Sequence, residues 1–150
     1  MRHVKPTSIL QKTARIALGI FMVVAGTAHL TFQRKGFRAQ VPDWVPVPKD
    51  FTVVSSGYVE IALGLALLFW KRERIPMGMF LGIFYMLVFP GNIAQYKNHR
   101  SALGLDTDDK RRTRLFFQPV LILGALWSTG ALAEIQRKLK SRQNLLSSNQ

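Results

Sequence analysis

The stretch "SGYVEIALGLALLFW", residues 56–70, decides how the rest of the chain reads. A single acid, Glu60, interrupts an apolar run that closes on Lys71, Arg72 and Arg74. The whole block, Phe51–Trp70, is 20 residues long. At 1.5 Å per residue it matches the ~30 Å of hydrocarbon in a bilayer. Gly57, Glu60 and Gly64 share one helical face. Small residues mark faces where membrane helices approach closely, so the carboxyl is expected on a packing face, turned away from lipid.

Outward from this block lie three more: Ile16–Phe32, Ile75–Ile93 and Leu115–Ala133. Backbone groups in lipid are satisfied within their own segment, so the blocks predict an all-α fold. The expectation is an antiparallel bundle of four transmembrane helices over residues 1–135, followed by a basic, polar and disordered tail over 136–150. "KRER", residues 71–74, is short enough to join the second and third spans as a hairpin. The first connector, "QRKGFRAQVPDWVPVPKD", residues 33–50, contains Pro42, Pro46 and Pro48, which forbid a regular helix there. The basic start and the "GTA" before His29 have a signal-peptide look. Cleavage would leave an odd number of spans, so the first block is expected to stay as a span in a chain starting at Met1.

The chain has 150 residues, a net charge of +13 and no cysteine. Mean hydropathy is only +0.10, because apolar blocks alternate with basic connectors. In a soluble chain that charge would suggest nucleic acid. Here the Lys and Arg flank apolar spans, where they hold anionic lipid headgroups, so nucleic acid is excluded as a partner. The lack of cysteine excludes disulfides, thiol relays and Cys nucleophiles. Four spans put both termini on one side, with eleven Lys and Arg there and ten on the other. The positive-inside rule leans only slightly toward cytoplasmic termini in a multi-pass cell-membrane protein.

Under this topology the polar residues of the spans gather in one half. His29 is late in the first span, Asn92 and Gln95 are late in the third, and Arg114 and Gln118 open the fourth. Glu60 lies about 14 Å below the same end of its span. A charge there costs at least ~2.5–3.5 kcal/mol. Protonation lowers that cost, and so does pairing with His29 or Arg114. His29 and Glu60 are the candidate catalytic pair. Trp44, Tyr85, Asn92, Arg114 and Gln118 are the candidates for holding a cofactor. Simpler roles compete: Asn92 and Gln118 as interhelical glue, Tyr85 as packing, Trp44 as an interfacial anchor. Pro90 withholds a donor from the Met86 carbonyl and leaves an acceptor nearby. His3 and His99 read as solvated flanks. No soluble catalytic motif occurs, and no metal site is expected.

"RIALGIFMVVAGTAHLTF", "VPDWVPVP", "SGYVEIALGLALLFW", "FPGNIAQY" and "RLFFQPVLILGALW" together resemble the DoxX-like family of small four-helix membrane proteins. The resemblance implies polar positions at His29, Pro42, Trp44, Pro46, Gly57, Glu60, Pro90, Asn92, Arg114 and Gln118. That family is named for a subunit associated with a thiosulfate:quinone oxidoreductase. Other members are linked to oxidative-stress responses or to assembly of membrane partners. The implied role is an accessory or redox-associated subunit without catalysis of its own. Quinone is the candidate cofactor, and lipid, a larger membrane complex or a second copy are the candidate partners. Two alternatives stand beside it. One is a quinone- or amphiphile-binding oxidoreductase component. The other is a small acid–base enzyme acting on a lipid-like substrate through Glu60 and His29.

Overall fold

The computed structural model describes residues 6–147. The chain runs through α1 (Ile9–Leu30), α2 (Arg34–Arg38), α3 (Lys49–Phe69), α4 (Arg74–Lys97), α5 (Asp108–Thr129) and α6 (Ala131–Ser147). Arg2, His3, Lys5 and residues 148–150 lie outside the described part.

α1, α3 and α4 are each long and apolar enough to cross a membrane; α5 passes that test only when joined to α6, from which it bends by 81°. Of the most apolar window in each of the three, 33%, 28% and 33% is buried within the protein. Most of their apolar surface therefore faces outward, including Phe69, Leu87 and Val24. Water-soluble monomers rarely leave such a continuous apolar surface open.

Local chemistry accounts for the helix ends. Ser8 caps α1 in a reciprocal box with Gln11, its Oγ accepting from Gln11 N at 3.2 Å and its N–H donating to Gln11 Oε1 at 3.0 Å. Thr107 caps α5, and Asp108 and Asp109 fill its first turn, where the helix dipole favours anions. α5 starts at Asp108 rather than Leu115, because the polar residues ahead of the apolar block are helical too. It stops at Thr129 because Gly130 takes φ 81°, the left-handed conformation that closes helices, with its N–H donating to Trp127 O at 3.1 Å. Where the sequence suggests a disordered tail from Gln136, the chain continues as α6 to Ser147. The prolines of the first connector lie outside helices, as expected, but α2 forms just ahead of them.

Two tight helix pairs build the molecule. In the first, α1 and α3 meet backbone to backbone. A Cβ on Gly26 would stand 2.5 Å from Gly57 O, and a Cβ on Gly64 would stand 2.8 Å from Gly19 O. In the second, α4 meets α5 where Gly78 receives Thr129; a Cβ there would lie 1.9 Å from Thr129 Oγ1. Met22, Leu67, Leu81, Phe84, Tyr85 and Ala125 form the core between the pairs. Tyr85 donates its hydroxyl to Met22 Sδ at 3.1 Å across that core.

At the end carrying the two long connectors, Arg100 ties them together. Its Nη1 donates to Ala39 O at 3.0 Å and to Val41 O at 3.2 Å, and its Nη2 to Asp43 Oδ2 at 2.6 Å. Lys49 binds the other Asp43 oxygen at 2.5 Å. Lys49 and then Arg100 hold the Asp43 carboxyl below its ordinary pKa of 3.8. Arg34 grips Asp50 with both Nε and Nη2. Arg111 is buried and fans out to Asp108, Ser101 Oγ and the carbonyls of Arg100 and Asp106.

Candidate functional site

A cavity of about 440 Å³ opens between the two helix pairs just beneath these connectors. That lies within the range of small-molecule sites, ~300–1,000 Å³. All seven candidate residues reach it: His29, Trp44, Glu60, Tyr85, Asn92, Arg114 and Gln118. They come from both pairs, so the site exists only once the pairs dock.

On the α1–α3 wall, Gly26 and Gly57 let the helices approach until His29 and Glu60 meet. His29 Nδ1 stands 2.9 Å from Glu60 Oε2, and both side chains are about nine-tenths buried. The ring N–H is not aligned on that oxygen, so Glu60 Oε2 is a buried acceptor without an in-line donor. Ser56 Oγ lies 3.4 Å from the same nitrogen and donates its own proton to Val53 O at 2.9 Å. A hydroxyl has one proton to give, so the imidazole nitrogen is the donor toward Ser56. Phe37 of α2 packs edge-on against the His29 ring.

On the α4–α5 wall the polar groups form a chain of fixed sense. Arg114 Nε donates to Asn92 Oδ1 at 3.0 Å, Asn92 Nδ2 to Gln118 Oε1 at 2.9 Å, and Gln118 Nε2 to Tyr85 O at 2.6 Å. A guanidinium only donates and a carbonyl only accepts, so both amide orientations follow from the two ends. The proline in α4 was expected to expose the Met86 carbonyl; the carbonyl used is that of Tyr85, one residue earlier.

Several expectations can now be placed. His29, not Arg114, is the close neighbour of Glu60, while Arg114 spends its Nε on Asn92. Asn92 and Gln118 do join α4 to α5, and Tyr85 belongs to the core as well as the cavity. Trp44 is 73% exposed at the cavity edge. His99 is exposed, as expected, and rests 2.8 Å from Asp108. Ser56 and Phe37 were missed. Ser56 sits four residues before Glu60, on the same helical face, and was findable. Phe37 lies in a connector with no periodic signal. Gln95 turns away from the cavity to Gln40, Arg100 O and Ala102 O. Among the described residues, no three His, Asp or Glu side chains converge as a metal site would require.

Apolar residues of the lining reach the outer surface: Phe21 is 51% exposed and Leu87 72%. These features define an all-helical protein with three to four membrane-length apolar helices and a polar-walled cavity between them. The chain belongs to the family described as "Domain of unknown function (DUF8561)", whose model matches residues 18–129. That span takes in every cavity residue named above. No curated protein and no solved structure matches the chain.

Proposed function

We propose that the protein is a DoxX-like, four-span membrane protein that holds a quinol-like amphiphile in this cavity and serves a redox-associated complex as a subunit. The observation that carries the reading is Glu60 Oε2, a buried acceptor without an aligned donor, on one polar wall of a cavity whose lining also includes exposed apolar side chains. Such an oxygen favours a head group that donates, as a quinol hydroxyl does. The further N–H groups of Arg114 suit a second ring oxygen. The apolar lining at Phe21 and Leu87 gives a tail a route to hydrocarbon. The bent α5–α6 unit supplies the fourth span through α5, and the start of α1 and the root of α6 lie on the side away from the cavity.

The test is binding of a short-tailed benzoquinol to the purified protein and to Glu60→Gln. Wild type is expected to bind and the variant to bind about tenfold more weakly, the loss of one buried hydrogen bond. Equal, negligible binding by both removes the proposal. The competing reading is an assembly or interaction subunit whose polar cluster only sets helix register. The closed chain from Arg114 to Tyr85 favours it, and it predicts copurification with a larger membrane complex without quinol binding.

A further inference from the structure

The end of the molecule opposite the cavity has a different electrostatic character, which residue counts conceal. At the cavity end, Arg34, Lys49, Arg100, Lys110 and Arg111 each bind an aspartate. At the opposite end the acids are few, Glu73 and Glu134, against Lys12, Arg15, Lys71, Arg72, Arg74 and the basic residues of α6. Lys12, Lys71 and Arg72 are exposed. Arg15 is buried with its Nη1 unpartnered, under the like charge of Arg74.

α6 leaves this end at 81° to α5. Leu132, Ile135, Leu139 and Leu146, at spacings of three, four and seven, form a stripe along it. Arg137, Lys138, Lys140 and Arg142 lie off the stripe with Ser141, Asn144, Leu145 and Glu134, the last paired with Arg137. From Gln136 onward every described residue of α6 is exposed, with Leu139 57% and Leu146 71% open. The protein thus covers the root of α6 but not its outer turns.

We infer that α6 is an interfacial helix that lies in the headgroup layer of an anionic leaflet, its leucine stripe among the acyl chains and its Lys and Arg at the lipid phosphates. Three observations converge. A helix near perpendicular to a span runs along the membrane plane. A narrow apolar stripe flanked by basic residues is the pattern of in-plane helices. The surrounding face is the one on which cations outnumber acids most, so an anionic surface is its electrostatic complement. The inference rests on the membrane placement proposed above but not on what fills the cavity.

The absence of cysteine makes the test clean. Single-cysteine versions of the full chain, Leu139→Cys, Ser141→Cys and Val24→Cys, carry an environment-sensitive fluorophore. They are reconstituted in phosphatidylcholine vesicles with and without one-third phosphatidylglycerol. Expected in the anionic vesicles are quenching of the Leu139 label by brominated acyl chains and of the Ser141 label by aqueous iodide. Replacing Lys138, Lys140 and Arg142 with Gln should lower the docked-to-undocked ratio about a hundredfold, at about fivefold per charge. Iodide access to both α6 labels in both vesicle types overturns the inference. So does protection of Leu139 that appears only at high protein-to-lipid ratio and equally in neutral vesicles, since a second copy then covers the stripe. The Val24 label separates the two proposals. If it is lipid-embedded while Leu139 is not, only the interfacial helix fails; if it too is aqueous, the membrane placement fails.

Discussion

At the scale of single residues, the two cavity walls differ in how fully they are satisfied. The α4–α5 wall is complete: each amide atom of Asn92 and Gln118 that the chain uses has its complement. Gln118→Leu therefore strands Asn92 Nδ2 and removes the second hydrogen bond to the Tyr85 carbonyl, which keeps its own helix partner. An unsatisfied buried partner costs ~1–3 kcal/mol, so the variant should be destabilised by about 1–3 kcal/mol in detergent unfolding followed by circular dichroism. A loss under 0.5 kcal/mol would show that water or lipid repairs the chain. The α1–α3 wall is incomplete at Glu60 Oε2, and binding proposals belong there. These identities were legible in the sequence, because an ionisable or amide side chain inside an apolar span stands out against its neighbours. Their pairing was only partly legible. Periodicity gives the face of each residue but not the few ångströms by which one helix slides along another, and that offset gave Glu60 to His29 and left Arg114 to Asn92.

At the scale of elements, glycine sets the geometry. The α1–α3 pair closes because Gly26 and Gly57 face each other's backbone, and that approach brings His29 and Glu60 within reach. Gly57→Ala would place its Cβ 2.8 Å from His29 Cβ and 3.0 Å from Gly26 O. Neither neighbour is the far end of a flexible chain, so the helices must part. We expect a loss of about 1–3 kcal/mol, typical of overpacking, together with a fall in ligand binding. Gly124→Ala, inside α5 where a Cβ meets nothing within 4 Å, is the control that should leave binding unchanged and stability equal or up to about 1 kcal/mol higher. The sequence showed these glycines as packing faces. It hid the end of α5, since "STGALAEI" continues a helical pattern and only the left-handed φ of Gly130 breaks it. It hid α6 for the opposite reason: a stripe of four aliphatic residues among charges is weak against the long apolar blocks.

At the scale of the whole molecule, the connectors above the cavity are tied together by charge. Asp43 is the hub, joining Lys49 and Arg100, and Arg100 in turn holds the carbonyls of Ala39 and Val41. The Asp43 carboxyl titrates lower folded than free. Its contribution is therefore present above the ordinary aspartate pKa and is lost as pH falls through the lowered folded value. Pepsin cleavage within residues 33–50 should stay slow above about pH 4 and accelerate as the pH drops further. Asp43→Asn should be cut fast throughout that range. A flat pH profile for wild type would show that Asp43 does not hold the connector. Sequence alone gave no hint of this tie, because Arg100 and Asp43 are far apart in the chain and each looks like an ordinary loop charge.

The apolar lining that reaches the outer surface has a consequence for how the chamber fills. Under the proposed membrane placement, the apolar lining at Phe21 and Leu87 lets a guest enter sideways, having first dissolved among the acyl chains. Occupancy then tracks the guest's mole fraction in the bilayer rather than its molarity in buffer. Adding blank vesicles at constant total guest would empty the chamber, whereas adding more buffer would barely change it.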